Sequence, residues 1–229
     1  MAKIFKYQIW HFLILLSLLY LINYYINIYA GDKILSGHLW GIDTKTLFIL
    51  ALLVPILHQI YVLLCWRYEL FYKGITKLLG NNGFKIYRIF FFILILSRPI
   101  VIICLSISNS MTITINPYVS YILSLGLFLP SFYLFYSVKK YFGFERACGI
   151  DHFEPEKFKN KPFVKEGIFK YTSNGMYIYG LLVLWIPGIL LQSEAALLAA
   201  LFNHIYIWVH YYFTELPDIK IIYGKTGKN

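Results

Sequence analysis

Long apolar stretches dominate this sequence and limit what it can fold into. The chain has 229 residues, of which 59% are hydrophobic and only 14% are charged, so a water-soluble fold could not cover its apolar surface. Six stretches are long enough to cross a hydrocarbon core of roughly 30 Å. They lie at about residues 9–29, 46–66, 86–107, 118–138, 176–192 and 195–213. The sequence therefore predicts an all-α, polytopic integral membrane protein with six transmembrane helices.

Lysine and arginine alternate between the predicted loops. They occur in the N-terminal segment, in residues 67–88, in residues 139–170 and in the tail, whereas the third loop and the turn between spans five and six have none. The first loop has Lys33 and Lys45, which Asp32 and Asp43 balance. Short basic loops stay on the cytoplasmic side, so both termini are expected there. Attraction to anionic lipid headgroups accounts for the formal net charge of +10, and no nucleic-acid partner is predicted.

No repeat or soluble domain interrupts the chain, so residues 1–229 are expected to form a single membrane domain. Residues 1–138 would form a four-helix membrane part. Residues 139–175 would form a cytoplasmic loop, whose interleaved aromatic and charged residues suit a segment folded onto the membrane surface. Residues 176–229 would form a C-terminal helical hairpin and tail that carry the functional site.

The turn between spans five and six, Gln192-Ser-Glu194, is very short. The two spans must therefore be antiparallel neighbours, and their outer ends return to the same membrane surface. Two polar groups distant in sequence would meet there: Ser173 and Asn174 before span five, and Glu215 after span six.

Span six carries a stripe of polar and aromatic residues. On a helical wheel, His204, Trp208, Tyr211 and Glu215 share one face that climbs toward the cytoplasmic surface. An aromatic belt at the membrane interface is the alternative reading for Trp208 and Tyr211. Glu215 directly precedes a Leu-Pro pair, where the helix is expected to end.

Ser173 and Asn174 lie at the N-terminal end of span five, where free N–H groups favour an anion. Either residue alone could be an ordinary helix cap. Together with Glu215 they would offer donors for a carboxylate and an acceptor for an ammonium or ribose hydroxyl. This combination suits a cofactor that carries an amino acid.

The segment Gly167-Ile-Phe-Lys-Tyr-Thr-Ser-Asn-Gly-Met-Tyr, the hairpin after it and the exit Glu215-Leu-Pro-Asp resemble a known module. It is the C-terminal module of the membrane methyltransferases that include phosphatidylethanolamine N-methyltransferase and isoprenylcysteine carboxyl methyltransferase. The resemblance covers residues 167–224 and implies S-adenosylmethionine as cofactor. The residues implied or predicted to bind it are Ser173, Asn174, Tyr177, Gly180, Tyr211 and Glu215, with Gly180 allowing close approach.

The sequence departs from the family pattern in two places. The family usually has a basic residue, a His and a Pro before Met-Tyr, whereas this chain has Ser173, Asn174 and Gly175. The family usually closes the last span with two acidic residues, whereas this chain has Glu215-Leu216. Asn174 can hydrogen-bond but cannot titrate near neutral pH, so no proton transfer is assigned to it.

An amine acceptor would need a base, and Asp151 and His152 in the cytoplasmic loop are the candidates. Arg98 is costly within a span, about 2.5–3.5 kcal/mol, so it should meet a substrate phosphate or pair with a neighbour such as His58 or Gln59. Arg98 and Trp208 are the predicted substrate-binding residues. The three cysteines show no metal-ligand spacing, and no metal is predicted.

These features predict an S-adenosylmethionine-dependent methyltransferase that acts on a membrane-embedded lipid acceptor, an amino-phospholipid in first place, at the cytoplasmic face. It would lie in the inner membrane of a bacterium or the endoplasmic reticulum of a eukaryote. Three alternatives stay open: a carboxyl methyltransferase acting on a prenylated cysteine, an NADPH-dependent membrane reductase of similar architecture, and a non-catalytic scaffold or transporter.

Overall fold

A computed structural model describes residues 2–224, so the end of the predicted tail, with Lys225 and Lys228, lies outside the described residues. The α-helices are α1 Gln8–Tyr25, α2 Thr44–Tyr72, α3 Gly74–Leu79, α4 Gly83–Ser108, α5 Pro117–Ser137, α6 Phe144–Ala147, α7 Ile150–Phe153, α8 Pro155–Phe158, α9 Gly175–Tyr179, α10 Trp185–Leu190, α11 Glu194–His210 and α12 Leu216–Ile222. Turns of 3₁₀- or π-helix extend or connect several of them, at Ile26–Ala30, Asp32–Leu35, Gly80–Asn82, Val138–Phe142, Gly167–Lys170, Gly180–Leu184 and Tyr211–Glu215.

Four helical segments in the described chain are long and apolar enough to cross a membrane: Gln8–Tyr29, Thr44–Tyr72, Gly74–Ser108 and Pro117–Phe142. They coincide with the first four predicted spans. The fifth, Gly175–Leu190, is shorter. The multi-pass architecture is therefore confirmed, while the count of six spans and the cytoplasmic placement of both termini stay predictions.

The described chain is nearly all-α, as predicted, with one small β-hairpin as an exception. His38–Leu39 pairs antiparallel with Ile42–Asp43 in the loop before α2. The carboxylate of Asp43 then accepts a hydrogen bond of 2.6 Å from the backbone N–H of Thr46, which caps α2. The hairpin is thus a short connector, and the rest of the fold is helical.

The C-terminal hairpin forms as predicted, but its first arm is broken. Residues 175–190 consist of α9, a 3₁₀ segment and α10 in place of one regular helix. Gln192 turns the chain with a positive φ of 55°, and the Ser193 hydroxyl then accepts from the backbone N–H of Ala196 to cap α11. The two arms pack side by side.

Small residues let α11 approach the rest of the bundle. Ala195, Ala196, Ala199 and Ala200 are fully buried in the largest apolar cluster, where α11 packs on α1, α2 and α4. Without bulky side chains at these positions the backbones can come close, which is the usual way for helices to pack in lipid. The position of α11 fixes where its functional side chains lie.

The exit of α11 differs from the prediction. The helix does not end before the Leu-Pro pair but continues through the π-helical turn Tyr211–Glu215 into α12. Pro217 falls in the first turn of α12, where its missing N–H leaves no helical partner unsatisfied. Glu215 is therefore held inside a helical segment, and α12 continues under the loop of residues 139–175.

That loop also differs from the prediction of a segment lying on the membrane surface. Its short helices are folded into the protein, and Asp151, His152 and Phe153 of α7 are buried. Gly149 precedes them with a φ of 85°, and a side chain there would collide with the indole of Trp66. Glycine thus lets α7 approach α2, which makes the loop a roof over the bundle.

Candidate active site

A large cavity lies beneath this roof. Its volume is about 690 Å³, within the size range of small-molecule sites. The predicted site residues that line it are Arg98, Asp151, His152, Ser173, Asn174, Tyr177, Gly180, Tyr211 and Glu215. The structure therefore brings the loop, both arms of the hairpin and helix α4 together around one space.

The polar end of the cavity is formed where the two hairpin arms meet. The hydroxyl of Tyr177 donates a hydrogen bond to the carboxylate of Glu215. The ring of Tyr177 packs against that of Tyr211, with 4.8 Å between centroids, and the side chain of Asn174 interacts with the Tyr211 hydroxyl. Asn174 precedes α9, its side chain makes no capping hydrogen bond, and it lines the cavity.

Glu215 has an unusual acidity for a carboxyl group. Removal from bulk water raises its pKa to about 7, although the hydrogen bond from Tyr177 and the charge of His152 oppose this increase. The group is therefore divided between its neutral and ionised forms at neutral pH. A cationic ligand in the cavity would favour the ionised form.

Asp151 and His152 belong to a buried charge network. His152 Nδ1 lies 3.0 Å from Asp151 Oδ1, and its Nε2 lies 3.7 Å from Asp218 Oδ2. Burial lowers the pKa of His152, but the two carboxylates outweigh it and raise the pKa to about 9. Burial likewise disfavours ionised Asp151, yet His152 and the Tyr223 hydroxyl, which donates at 2.9 Å, hold its pKa below the usual value.

This bonding changes the role expected for His152. Because a protonated histidine cannot accept a further proton, this raised pKa argues against His152 as the general base. Asp151 is ionised and lines the cavity, so it remains a candidate proton acceptor. The ring of His152 stacks on Trp66, with 4.1 Å between centroids, which fixes its position.

Asp218 links this network to the N-terminal half of the chain. Nε of Arg67 donates to both carboxylate oxygens of Asp218 at 3.1 Å, and both side chains are about 1% exposed. The other two guanidinium nitrogens donate to backbone carbonyls of Ile4, Lys6, Phe213 and Thr214. Every nitrogen of this buried arginine is thus satisfied, and it joins the N-terminus, α2 and the π-helical turn.

The comparison with known proteins covers this part of the molecule. Residues 119–226 match the family model described as phospholipid methyltransferase. No curated protein and no solved structure matches the chain significantly. The resemblance to membrane methyltransferases is therefore confirmed for the segment that holds α5, the loop and the hairpin, and it indicates a methyltransferase.

The phospholipid methyltransferase match contains every predicted cofactor-binding residue, and one of these, Gly180, has a function in packing. A Cβ atom at Gly180 would lie 3.2 Å from Leu134 Cδ2, so this glycine lets the 3₁₀ segment approach α5. Ser173 is exposed at the rim of the cavity.

Trp208 does not line the cavity. Its indole packs against the outer side of the Tyr177 and Tyr211 rings, with 5.6 Å between centroids in each pair. The predicted contact of Trp208 with a substrate is therefore replaced by support for two cavity-lining rings. His204, on the same stripe, accepts a hydrogen bond from the indole of Trp185.

Arg98 lies outside the matched family segment and at the other end of the cavity. Its Nη2 donates to Nδ1 of His58 at 2.7 Å, so the pairing with His58 considered from the sequence is present. Arg98 also lines the cavity, and its Nε and Nη1 have no hydrogen-bond partner among the described residues.

A second polar stripe on α11 escaped the sequence reasoning. Asn203, Tyr206, His210 and Thr214 are three or four residues apart, and all four are buried. The spacing itself was visible in the sequence. The sequence pattern indicated one inner face for α11, the face with His204 and Glu215. In the structure α11 packs on α1, α2 and α4 and also on α10, so a second face is buried.

Proposed function

We propose that the chain is an S-adenosylmethionine-dependent methyltransferase whose acceptor is a membrane-embedded lipid, an amino-phospholipid in particular. The observation that carries the proposal is the convergence of the two hairpin arms on one cavity whose polar end holds Asn174, Tyr177, Tyr211 and Glu215. The match to the phospholipid methyltransferase family over the same residues supports it.

The polar end suits the amino-acid part of the cofactor. The carboxylate of Glu215 could accept from an ammonium group, and the amide of Asn174 could donate to a carboxylate. The faces of Tyr177 and Tyr211 are suitable neighbours for a sulfonium cation. When bound, the cofactor supplies an already activated methyl group, so the protein needs chiefly to align the acceptor and keep its nucleophile unprotonated.

The cavity wall can help to deprotonate an amine. Apolar surroundings and the nearby cation His152 both disfavour an ammonium ion. The ionised carboxylate of Asp151 faces the same space and could take the proton. His152 would hold Asp151 in position and keep it ionised.

The arrangement of α4 and α5 gives a lipid a route to this cavity. These helices scarcely touch each other in the described chain, because residues 175–190 pack against both. Phe92, Leu96 and Phe135 are exposed on the outer surface and also line the cavity. We infer that the lipid enters sideways between α4 and α5, while the cofactor arrives beside the loop.

Binding and methyl transfer can be tested on the detergent-purified protein. Thermal stability should rise with S-adenosylmethionine and S-adenosylhomocysteine but not with NADPH. The Glu215→Gln variant should weaken S-adenosylmethionine binding roughly 10- to 150-fold, the range for losing a charged hydrogen bond. Glu145→Gln is the matched control, because Glu145 is exposed and does not line the cavity.

The acceptor is tested with labelled S-adenosylmethionine and two lipids. Label should pass to phosphatidylethanolamine and not to a prenylated cysteine. Transfer to the prenylated cysteine alone would show that the acceptor is a carboxylate and not an amino-phospholipid. Stabilisation by NADPH alone would reject methyl transfer and favour a reductase.

A further inference from the structure

The apolar end of the cavity holds a cluster of buried nitrogen donors that the methyl-transfer chemistry leaves unused. Arg98, His58 and His210 are each no more than 3% exposed, and all three line the cavity. They lie close enough to act on one another electrostatically. We propose that this cluster binds the phosphate of the lipid acceptor.

The guanidinium of Arg98 has donors that no described group accepts. Only its Nη2 is hydrogen-bonded, whereas Nε and Nη1 have no partner among the described residues. No described carboxylate lies within ion-pair distance of it. Nε and Nη1 together leave three N–H groups unmade in the plane of the guanidinium, and such donors bind phosphate oxygens well.

His58 extends the donor set. Its Nδ1 faces Arg98, which can only donate, so Nδ1 is the acceptor and the proton of the neutral ring is on Nε2. That Nε2 is buried without a partner. Both ring nitrogens of His210 are likewise buried and unpartnered, so one of them offers a further N–H.

Arg67 shows what a structural arginine looks like in the same protein. It is equally buried, but each of its nitrogens is bonded and a carboxylate neutralises it. A buried cation with unmade hydrogen bonds is costly, particularly in a membrane. Arg98 carries that cost in the ligand-free protein, and a bound anion would remove it.

The surroundings of the cluster favour a lipid phosphate over a free one. Ile95, Pro99 and Leu184 are apolar and line the same cavity, and the lipid route inferred between α4 and α5 would lead to the hydrocarbon region. His210 lies five residues before Glu215, about 7–8 Å along the helix axis. A headgroup with its amine two carbons from its phosphate would place that amine toward the polar end.

This inference rests on the proposed function only in taking the occupant to be the lipid acceptor. The test measures binding separately from methyl transfer. Short-chain phosphatidylethanolamine and phosphatidic acid, at ten times their Kd, should raise the melting temperature of the wild type by roughly 3–6 °C. Diacylglycerol of the same chain length and inorganic phosphate should not.

The Arg98→Gln variant gives the decisive comparison. Without ligand it should melt at or above the wild-type temperature, because an uncompensated charge has been removed, whereas Arg67→Gln should melt lower. Its stabilisation by both phospholipids should disappear, and its KM for phosphatidylethanolamine should rise about 10- to 100-fold with an unchanged KM for S-adenosylmethionine. His58→Gln should show a smaller loss of the same kind.

Arg88→Gln is the matched control, because Arg88 lies on the same helix but does not line the cavity. It should bind phospholipid like the wild type. Equal stabilisation of wild type and Arg98→Gln, or stabilisation by diacylglycerol or inorganic phosphate alone, would overturn the assignment. Phospholipid binding that depends on Arg98, without methyl transfer, would support the phosphate site and reject the proposed function. Methyl transfer with an unchanged lipid KM in Arg98→Gln would support the proposed function and reject the phosphate site.

Discussion

The hydroxyl of Tyr177, in the first arm of the hairpin, donates a hydrogen bond to the carboxylate of Glu215, which follows the second arm 38 residues later. This contact joins the two polar groups that flank the hairpin. It also stabilises the ionised form of Glu215 and so opposes the increase that burial causes in its pKa. The acidity of the carboxyl group therefore depends on the geometry of the hairpin.

Replacing Tyr177 by Phe should shift the pH dependence of cofactor binding. Glu215 binds a cation only when ionised, so the affinity for S-adenosylmethionine should increase as the pH rises through about 7. Without the donated hydrogen bond the pKa of Glu215 increases, and the rise in affinity should move to higher pH. Titration calorimetry over about three pH units centred on that pKa measures this shift.

Tyr212→Phe is a suitable control, because Tyr212 is exposed and does not line the cavity. It should leave the pH profile unchanged. An identical profile in Tyr177→Phe would show that Glu215 does not contact the cofactor cation.

The Arg67–Asp218 pair should be essential for stability. Asp218→Asn removes the only carboxylate that neutralises Arg67 in the described structure and leaves a buried cation. Breaking a buried pair in this way costs about 3–5 kcal/mol. Denaturation in detergent should show a loss of this size, and Glu145→Gln, which breaks an exposed pair with Arg88, should cost less than about 1 kcal/mol.

His152 should make stability fall at alkaline pH. Its pKa is raised to about 9 in the folded protein, so its contribution is fully present below about 6.5, the ordinary value, and is lost as the pH rises toward 9. The melting temperature of the wild type should therefore decline over this window. His152→Gln should remove most of that decline, and a parallel decline in both proteins would contradict the charged state of His152.

The sequence was sufficient to predict the hairpin and the meeting of its ends. A turn as short as Gln192-Ser193 leaves two apolar arms no choice but to pack antiparallel, so Asn174, Tyr177 and Glu215 had to approach one another. This prediction succeeds because it depends only on residues close together in sequence. The π-helical turn after α11 was missed because a Leu-Pro pair usually ends a helix, and here Pro217 starts the first turn of α12.

Long-range partners were beyond a single sequence. Arg67 and Asp218 are 151 residues apart, and Arg67 looked like one of several basic loop residues. The sequence suggested His58 as a partner for Arg98, but it did not connect His210 with either residue. Their common cavity depends on how α2, α4 and α11 pack, which periodicity alone does not specify.

Narrowing the opening between α4 and α5 should slow the entry of long-chain lipids. Leu96 is 58% exposed and also lines the cavity, so Leu96→Trp would place a larger side chain in the opening. The KM for long-chain phosphatidylethanolamine should rise several-fold, whereas the KM for S-adenosylmethionine and for a water-soluble short-chain acceptor should not change. Ile100→Trp is the matched control, since Ile100 is equally exposed on α4 but does not line the cavity. An entry route between these helices predicts an effect only for Leu96→Trp and only with the long-chain lipid. If both variants affect long-chain and short-chain acceptors alike, the lipid does not enter between these helices.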